Sequence, residues 1–275
     1  MAGRQPGDRT RRPAHRLPVT DANGRFALDG RVFQVDRNDG PHHLHGGSLG
    51  FHKRCWRGRA LDRGVQFSLC SEDGDQGYPG RLEAIATYLV DGSRVLIELT
   101  ATCDAPTVVN LTSHAYFNLA GSGDITNHEL RVPANAYLPT DDTLIPTGEI
   151  VKVAETRFDA NSWSQIHPFS GRAGYLDMCY VDSGTGHRVV AELRELKSGR
   201  CLSISSTQPA VQVYMGQQLD GTLLDRMGQK IGPLAGICLE PQGWPDAPNQ
   251  SGFPSAVLRP GDTYRHLIEW RFESA

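Results

Sequence analysis

The chain has 275 residues, 39% of them hydrophobic and 21% charged, with a net charge of −3. That is enough apolar material for one large globular core, and it lacks the basic excess that a nucleic-acid partner demands. No apolar run approaches the ~20 residues that span a membrane, and the start of the chain lacks the apolar stretch of a secretory signal.

The basic, Pro-rich stretch 4–16 reads as a disordered tail, so residues 1–22 are set apart from one domain over 23–275. Beyond it, period-two patterning dominates. Segments 26–28 and 32–35 flank Asp29-Gly30, the signature of a type I′ hairpin. Segments 85–90 and 94–99 repeat the device across Asp91-Gly92-Ser93. Further strands are predicted at 130–132, 189–193, 201–205, 211–214 and 264–272. Many short strands, Gly/Pro/Asp turns and almost no helical periodicity predict an all-β, large antiparallel β-sandwich. The cysteines Cys55, Cys70, Cys103, Cys179, Cys201 and Cys238 are scattered without a C-x-x-C pair, as expected for reduced thiols of a cytoplasmic protein.

Three long connections, 38–54, 110–124 and 236–252, are the places for reactive groups on such a scaffold. The first carries His42, His43 and His45. Adjacent histidines in an extended chain diverge, so only His43 and His45 could share a metal, with no third ligand nearby. The alternatives are exposed loop histidines or contact of His45 with a polar ligand. In the second, an extended backbone puts His114 and Tyr116 on one face with Asn110, Thr112 and Asn118, which suits a hydroxyl-rich ligand. A satisfied core histidine is the bland alternative. In the third, Glu240 follows an apolar run and precedes Pro241, which places it either at a strand end in solvent or at a pocket mouth with a raised pKa.

Together these loops carry a resemblance. Leu44-His45-Gly46-Gly47, Gly77-Tyr78-Pro79-Gly80, the run from Asn110 to Gly121, and Tyr137-Leu138-Pro139-Thr140-Asp141 are similar to the galactose mutarotase, or aldose 1-epimerase, family. So are Ile145-Pro146-Thr147-Gly148, Thr207-Gln208-Pro209, Leu219-Asp220-Gly221, Cys238-Leu239-Glu240-Pro241-Gln242, the run from Trp244 to Gln250, and Leu258-Arg259-Pro260-Gly261. The motifs are collinear from about Gly24 to Phe272. The resemblance implies a mutarotase-like supersandwich acting on an aldose sugar. It makes His114 the general acid and Glu240 the general base, and puts His45 and Asp177 at sugar-binding positions, with Tyr116 beside them. It implies no metal, no cofactor, no nucleic acid and no membrane, in a monomer or homodimer. Anomer exchange needs one group to take the C1 hydroxyl proton while another protonates the ring oxygen. A carboxylate and an imidazole on opposite sides of the ring would suffice.

Some positions depart from the family pattern. Met178 replaces a histidine after Asp177, Leu176 is inserted before it, and His52 replaces an aspartate. The family's Asn-Arg pair would fall on Val19-Thr20 and is absent, as are the family's opening strands. That absence defines the alternative function, a non-catalytic or weakly active sugar-binding relative. A hexose-phosphate epimerase would need arginines around the pocket, and the motif loops carry none. One possible encoding of residues 4–10, shifted by a nucleotide, reads Ala-Asn-Arg-Val-Ile-Ala. Two readings follow: a truncated, weak or inactive relative, or an opening read out of frame, and the second would leave residues 1–18 without strand structure and the chain poorly stable and weakly active.

Overall fold

The structure, a computed structural model, describes residues 22–166 and 177–274. The expectations for the tail and for residues 174–176 lie outside the described residues.

Two antiparallel sheets form the sandwich. The larger has nine strands, in the order Ser164–Gln165, His128–Arg131, Arg188–Glu195, Arg200–Ser206, Tyr264–Ser274, Arg94–Cys103, Leu82–Asp91, Gly64–Ser71 and Arg57–Leu61. The smaller has six, in the order Val151–Lys152, Ala136–Leu138, Asp177–Val181, Ala210–Tyr214, Ile237–Gln242 and Tyr116–Phe117. Among the described residues the only helices are short 3₁₀ turns, and no helix is long and apolar enough to cross a membrane.

Alternation explains the layering, because successive side chains of a strand point to opposite faces. In the larger sheet Ala84 pairs with Ala101, Ala86 with Leu99 and Tyr88 with Ile97, all turned inward. They meet Met178, Tyr180, Val211, Val213, Ile237 and Leu239 from the smaller sheet in one core. The smaller sheet therefore gives one face to the core and keeps the other for something else.

The predicted hairpin forms between Arg25–Leu28 and Arg31–Gln34, with Asp29 at φ 49° and Gly30 at φ 76°, the double positive-φ turn that Asp-Gly favours. The second hairpin is tighter than the spacing suggested: Asp91 pairs with Arg94, leaving only Gly92 and Ser93 in the turn. Strands Arg57–Leu61 and Gly64–Ser71 had no counterpart among the predicted segments, because their charged and glycine positions blur the apolar alternation.

The first loop is anchored beneath the hairpin by His43. This ring is fully buried, its Nδ1 lies 2.5 Å from the Asp36 carbonyl, and its Nε2 lies 2.7 Å from the hydroxyl of buried Tyr78. Tyr78 in turn stacks on Phe26. Replacing Tyr78 by Phe removes one buried hydrogen bond and leaves the imidazole nitrogen short of a partner, a cost of about 1–3 kcal/mol. Urea denaturation of Tyr78→Phe is expected to show a lowered midpoint with an unchanged slope.

Candidate active site

Strand register builds the site. Leu138, Cys179, Gln212 and Glu240 are successive cross-strand partners in the smaller sheet. Asp177, Tyr214, Cys238 and Tyr116 form the adjacent row. All eight lie on the face turned away from the core, and all but Cys238 line an open cavity of about 400 Å³. One wall is the turn around Thr140–Pro146, another the loop that carries His45.

Glu240 sits at the centre of this floor, 3% exposed. It is neither at a strand end nor at the pocket mouth. The strand runs on through Pro241, paired with Val211 on one side. On the other side the ladder to Tyr116–Phe117 covers only Ile237 and Cys238, so the missing proline N–H breaks nothing there. The Pro241 carbonyl accepts from the Thr112 hydroxyl instead. Trp244 packs against Phe253 and does not line the cavity, so the burial of Glu240 comes from its place in the sheet.

His114 approaches from the segment before Tyr116. Its Nε2 lies 3.6 Å from Glu240 Oε1 and its Nδ1 lies 3.1 Å from Cys238 Sγ. The ring of His45 stands edge-on to it at 5.4 Å. His45 is held at φ 55°, and Gly50 fits so closely beneath it that a Cβ there would fall 2.3 Å from the His45 carbonyl oxygen. Asp177 accepts a 2.7 Å hydrogen bond from the Gln212 side chain.

The structure thus gathers His114, Glu240, His45, Asp177 and Tyr116 around one cavity. Three residues expected on the same face have other work. Asn110 pairs with the main chain of Gly243, Thr112 with Pro241, and Asn118 with the carbonyls of Gly123 and Ala235. The backbone between them is not one continuous strand, so alternation does not carry across it. His42 accepts the Asn23 main-chain N–H at Nδ1 and His43 is committed to Tyr78, so neither joins His45. Sequence reading missed Gln212, Tyr214, Cys179 and Cys238. The signal was there: Gln212 and Tyr214 alternate with Val211 and Val213, and Cys238 and Glu240 with Leu239.

Burial sets the electrostatics. It pulls the imidazole of His45 down to about 3, aided by the neighbouring His114 and His52, and that of His114 down to about 4. It pushes the Glu240 carboxyl well above its ordinary range, helped by the charge of Asp177, which burial raises as well. Among the described residues His114, Cys238 and Glu240 bring potential metal ligands within 4.8 Å of one another. The imidazole turns Nδ1 to the sulfur and Nε2 to the carboxylate, so one ion could not reach all three donors without rotation of the ring.

The architecture is an antiparallel sandwich whose open sheet face sets a buried carboxylate and an imidazole at a cavity of the size that takes a small ligand. A family sequence model described as aldose 1-epimerase matches residues 13–271, starting inside the segment 1–22 set apart above. The chain is 44% identical over 260 residues to galactose mutarotase of Rattus norvegicus, covering 92% of this chain and 76% of that one. It is 37% identical to aldose 1-epimerase of Escherichia coli K12, covering 91% and 76%. The crystal structure of an aldose epimerase homologue from C. elegans superposes with a TM-score of 0.87 at 33% identity, covering 95% and 82%. The chain belongs to the aldose 1-epimerase family.

Because both rings are depressed from an ordinary 6.5, each contributes stability that is present above pH 6.5 and is lost as the pH falls toward 4. Histidine NMR titration is expected to find His45 and His114 neutral at pH 5. A midpoint near 6.5 for either would show that the burial is not effective in solution.

Proposed function

We propose that this chain interconverts the α and β anomers of aldoses such as galactose and glucose, with His114 and Glu240 as the proton-transfer pair. His45, Asp177 and Tyr116 hold the sugar over them. The observation that carries this reading is the 3.6 Å between His114 Nε2 and Glu240 Oε1 on the cavity floor. That separation leaves no room for a ring between the two groups, so they do not flank it. The chemistry favours the closer arrangement, because the C1 hydroxyl and the ring oxygen are both bonded to C1 and need neighbouring partners.

The steps follow from the geometry. Glu240 takes the proton of the C1 hydroxyl while His114 delivers one to the ring oxygen, and the C1–O bond to the ring breaks. The aldehyde turns about C1–C2, and closure on its other face returns both protons. The pair holds one proton throughout. In water it would rest on the imidazole, with ordinary values of 6.5 against 4.5. Burial lowers the first and raises the second, so at rest the proton sits on Glu240, and its passage to His114 Nε2 gives the imidazolium and carboxylate that ring opening uses.

The names of the rat and E. coli relatives support the activity. The presence of both reacting groups supports turnover over mere sugar binding. Among the described residues no arginine lines the cavity, which supports a neutral sugar over a phosphorylated one. None of the six cysteines is in a disulfide, which supports a reducing, cytoplasmic setting. The five site residues come from a single chain, so a monomer and each half of a homodimer should act alike.

Polarimetry of α-galactose and α-glucose tests the proposal. Glu240→Gln and His114→Asn are each expected to lower kcat by at least ~10²-fold while sugar binding persists. Near-normal turnover by Glu240→Gln would assign the base elsewhere. Chelator treatment is expected to leave the rate unchanged.

A further inference from the structure

Cys238 lies two positions before Glu240 on the same face of one strand, with Tyr116 and Tyr214 as its cross-strand partners. Its sulfur meets His114 on the ring edge opposite the carboxylate, 3.1 Å from Nδ1. The hydroxyl of Tyr116 also bonds this sulfur.

The cycle sets a requirement on the ring. Nε2 must give up its proton to the ring oxygen and take it back, so Nδ1 must keep its own throughout. A neutral imidazole has one N–H, and the tautomer is set by what the other nitrogen meets. We propose that Cys238 is a positioning residue: its sulfur accepts the Nδ1–H of His114 and keeps the Nε2 lone pair facing Glu240 and the sugar.

A thiol suits this place better than the carboxylate that orients many catalytic histidines. A carboxylate would stabilise the imidazolium and weaken it as an acid toward a ring ether oxygen, a very poor base. It would also add a third buried acid beside Glu240 and Asp177. Burial pushes the Cys238 thiol well above its ordinary 9.0, so it stays neutral and orients without charging the site. Sulfur is a weak acceptor, which suffices to choose between tautomers of similar energy.

The inference rests on the His114–Glu240 reading, but its first test does not. Long-range ¹H–¹⁵N correlation of the full chain, without sugar at neutral pH, is expected to show His114 with its proton on Nδ1. An Nε2–H tautomer would overturn the proposal whether or not the chain turns sugar over. Cys238→Ala is expected to populate the Nε2–H form and lower kcat roughly 10-fold with KM unchanged, the scale of losing an orienting partner. Cys238→Ser should restore both tautomer and rate, which packing loss alone would not do. If Cys238→Ala keeps the wild-type tautomer and kcat, the sulfur has no such role. Loss of turnover in Cys238→Ala with its tautomer unchanged would overturn it too.

Discussion

The constraint on which the site depends is the period of two in the smaller sheet. Because each residue and its neighbour point to opposite faces, the strands that bury Val211, Val213, Ile237 and Leu239 in the core must turn Gln212, Tyr214 and Glu240 to the cavity, with Cys238 on the same face beneath it. Slipping Ile237–Gln242 by a single residue would put a carboxylate in the core and a leucine in the site. The apolar face therefore fixes the reactive face. Registry with the neighbouring strands then aligns Asp177 and Tyr116 at the two ends of one row.

The same arrangement makes the electrostatics. Glu240, 3% exposed on its sheet face, loses most of its water, whereas a carboxylate on an open loop would keep it. Glu240 and His114 are disturbed in opposite directions by one cause, desolvation, and this moves the shared proton from the imidazole, where water would leave it, to the carboxylate. Asp177 adds like charge from the next row and is itself steadied by Gln212. The larger sheet supplies rigidity to this assembly and none of its chemistry.

Much of this was legible before the structure. Asp29-Gly30 announced its hairpin through the only turn type that needs two positive φ values, and alternation marked most long strands of the larger sheet. The motif loops carried His114, Glu240 and His45 by their likeness to a family, although composition alone left each with a bland alternative. What could not be read was which strands lie side by side. Glu240 looked like a strand end because proline usually closes a ladder, and only the short reach of Tyr116–Phe117 shows why it need not. Asn110, Thr112 and Asn118 looked like ligands for want of their main-chain partners, at least one of which sits more than a hundred positions away for each of them. Cys238 passed as one more core thiol, since nothing local tells a cysteine that it will face an imidazole.

The backbone at His45 has a consequence for how ligands arrive. A non-glycine residue at φ 55° is held in the left-handed region at a cost of roughly 1–2 kcal/mol, here enforced by the close fit of Gly50 beneath its carbonyl. That cost is incurred once, when the chain folds. A ligand meeting His45 then finds the imidazole already in place at this wall, with less ordering left to do on binding. Recognition on that side is accordingly a matter of shape and hydroxyl placement. It should discriminate among stereoisomers of one sugar more sharply than a wall that closes around whatever it meets.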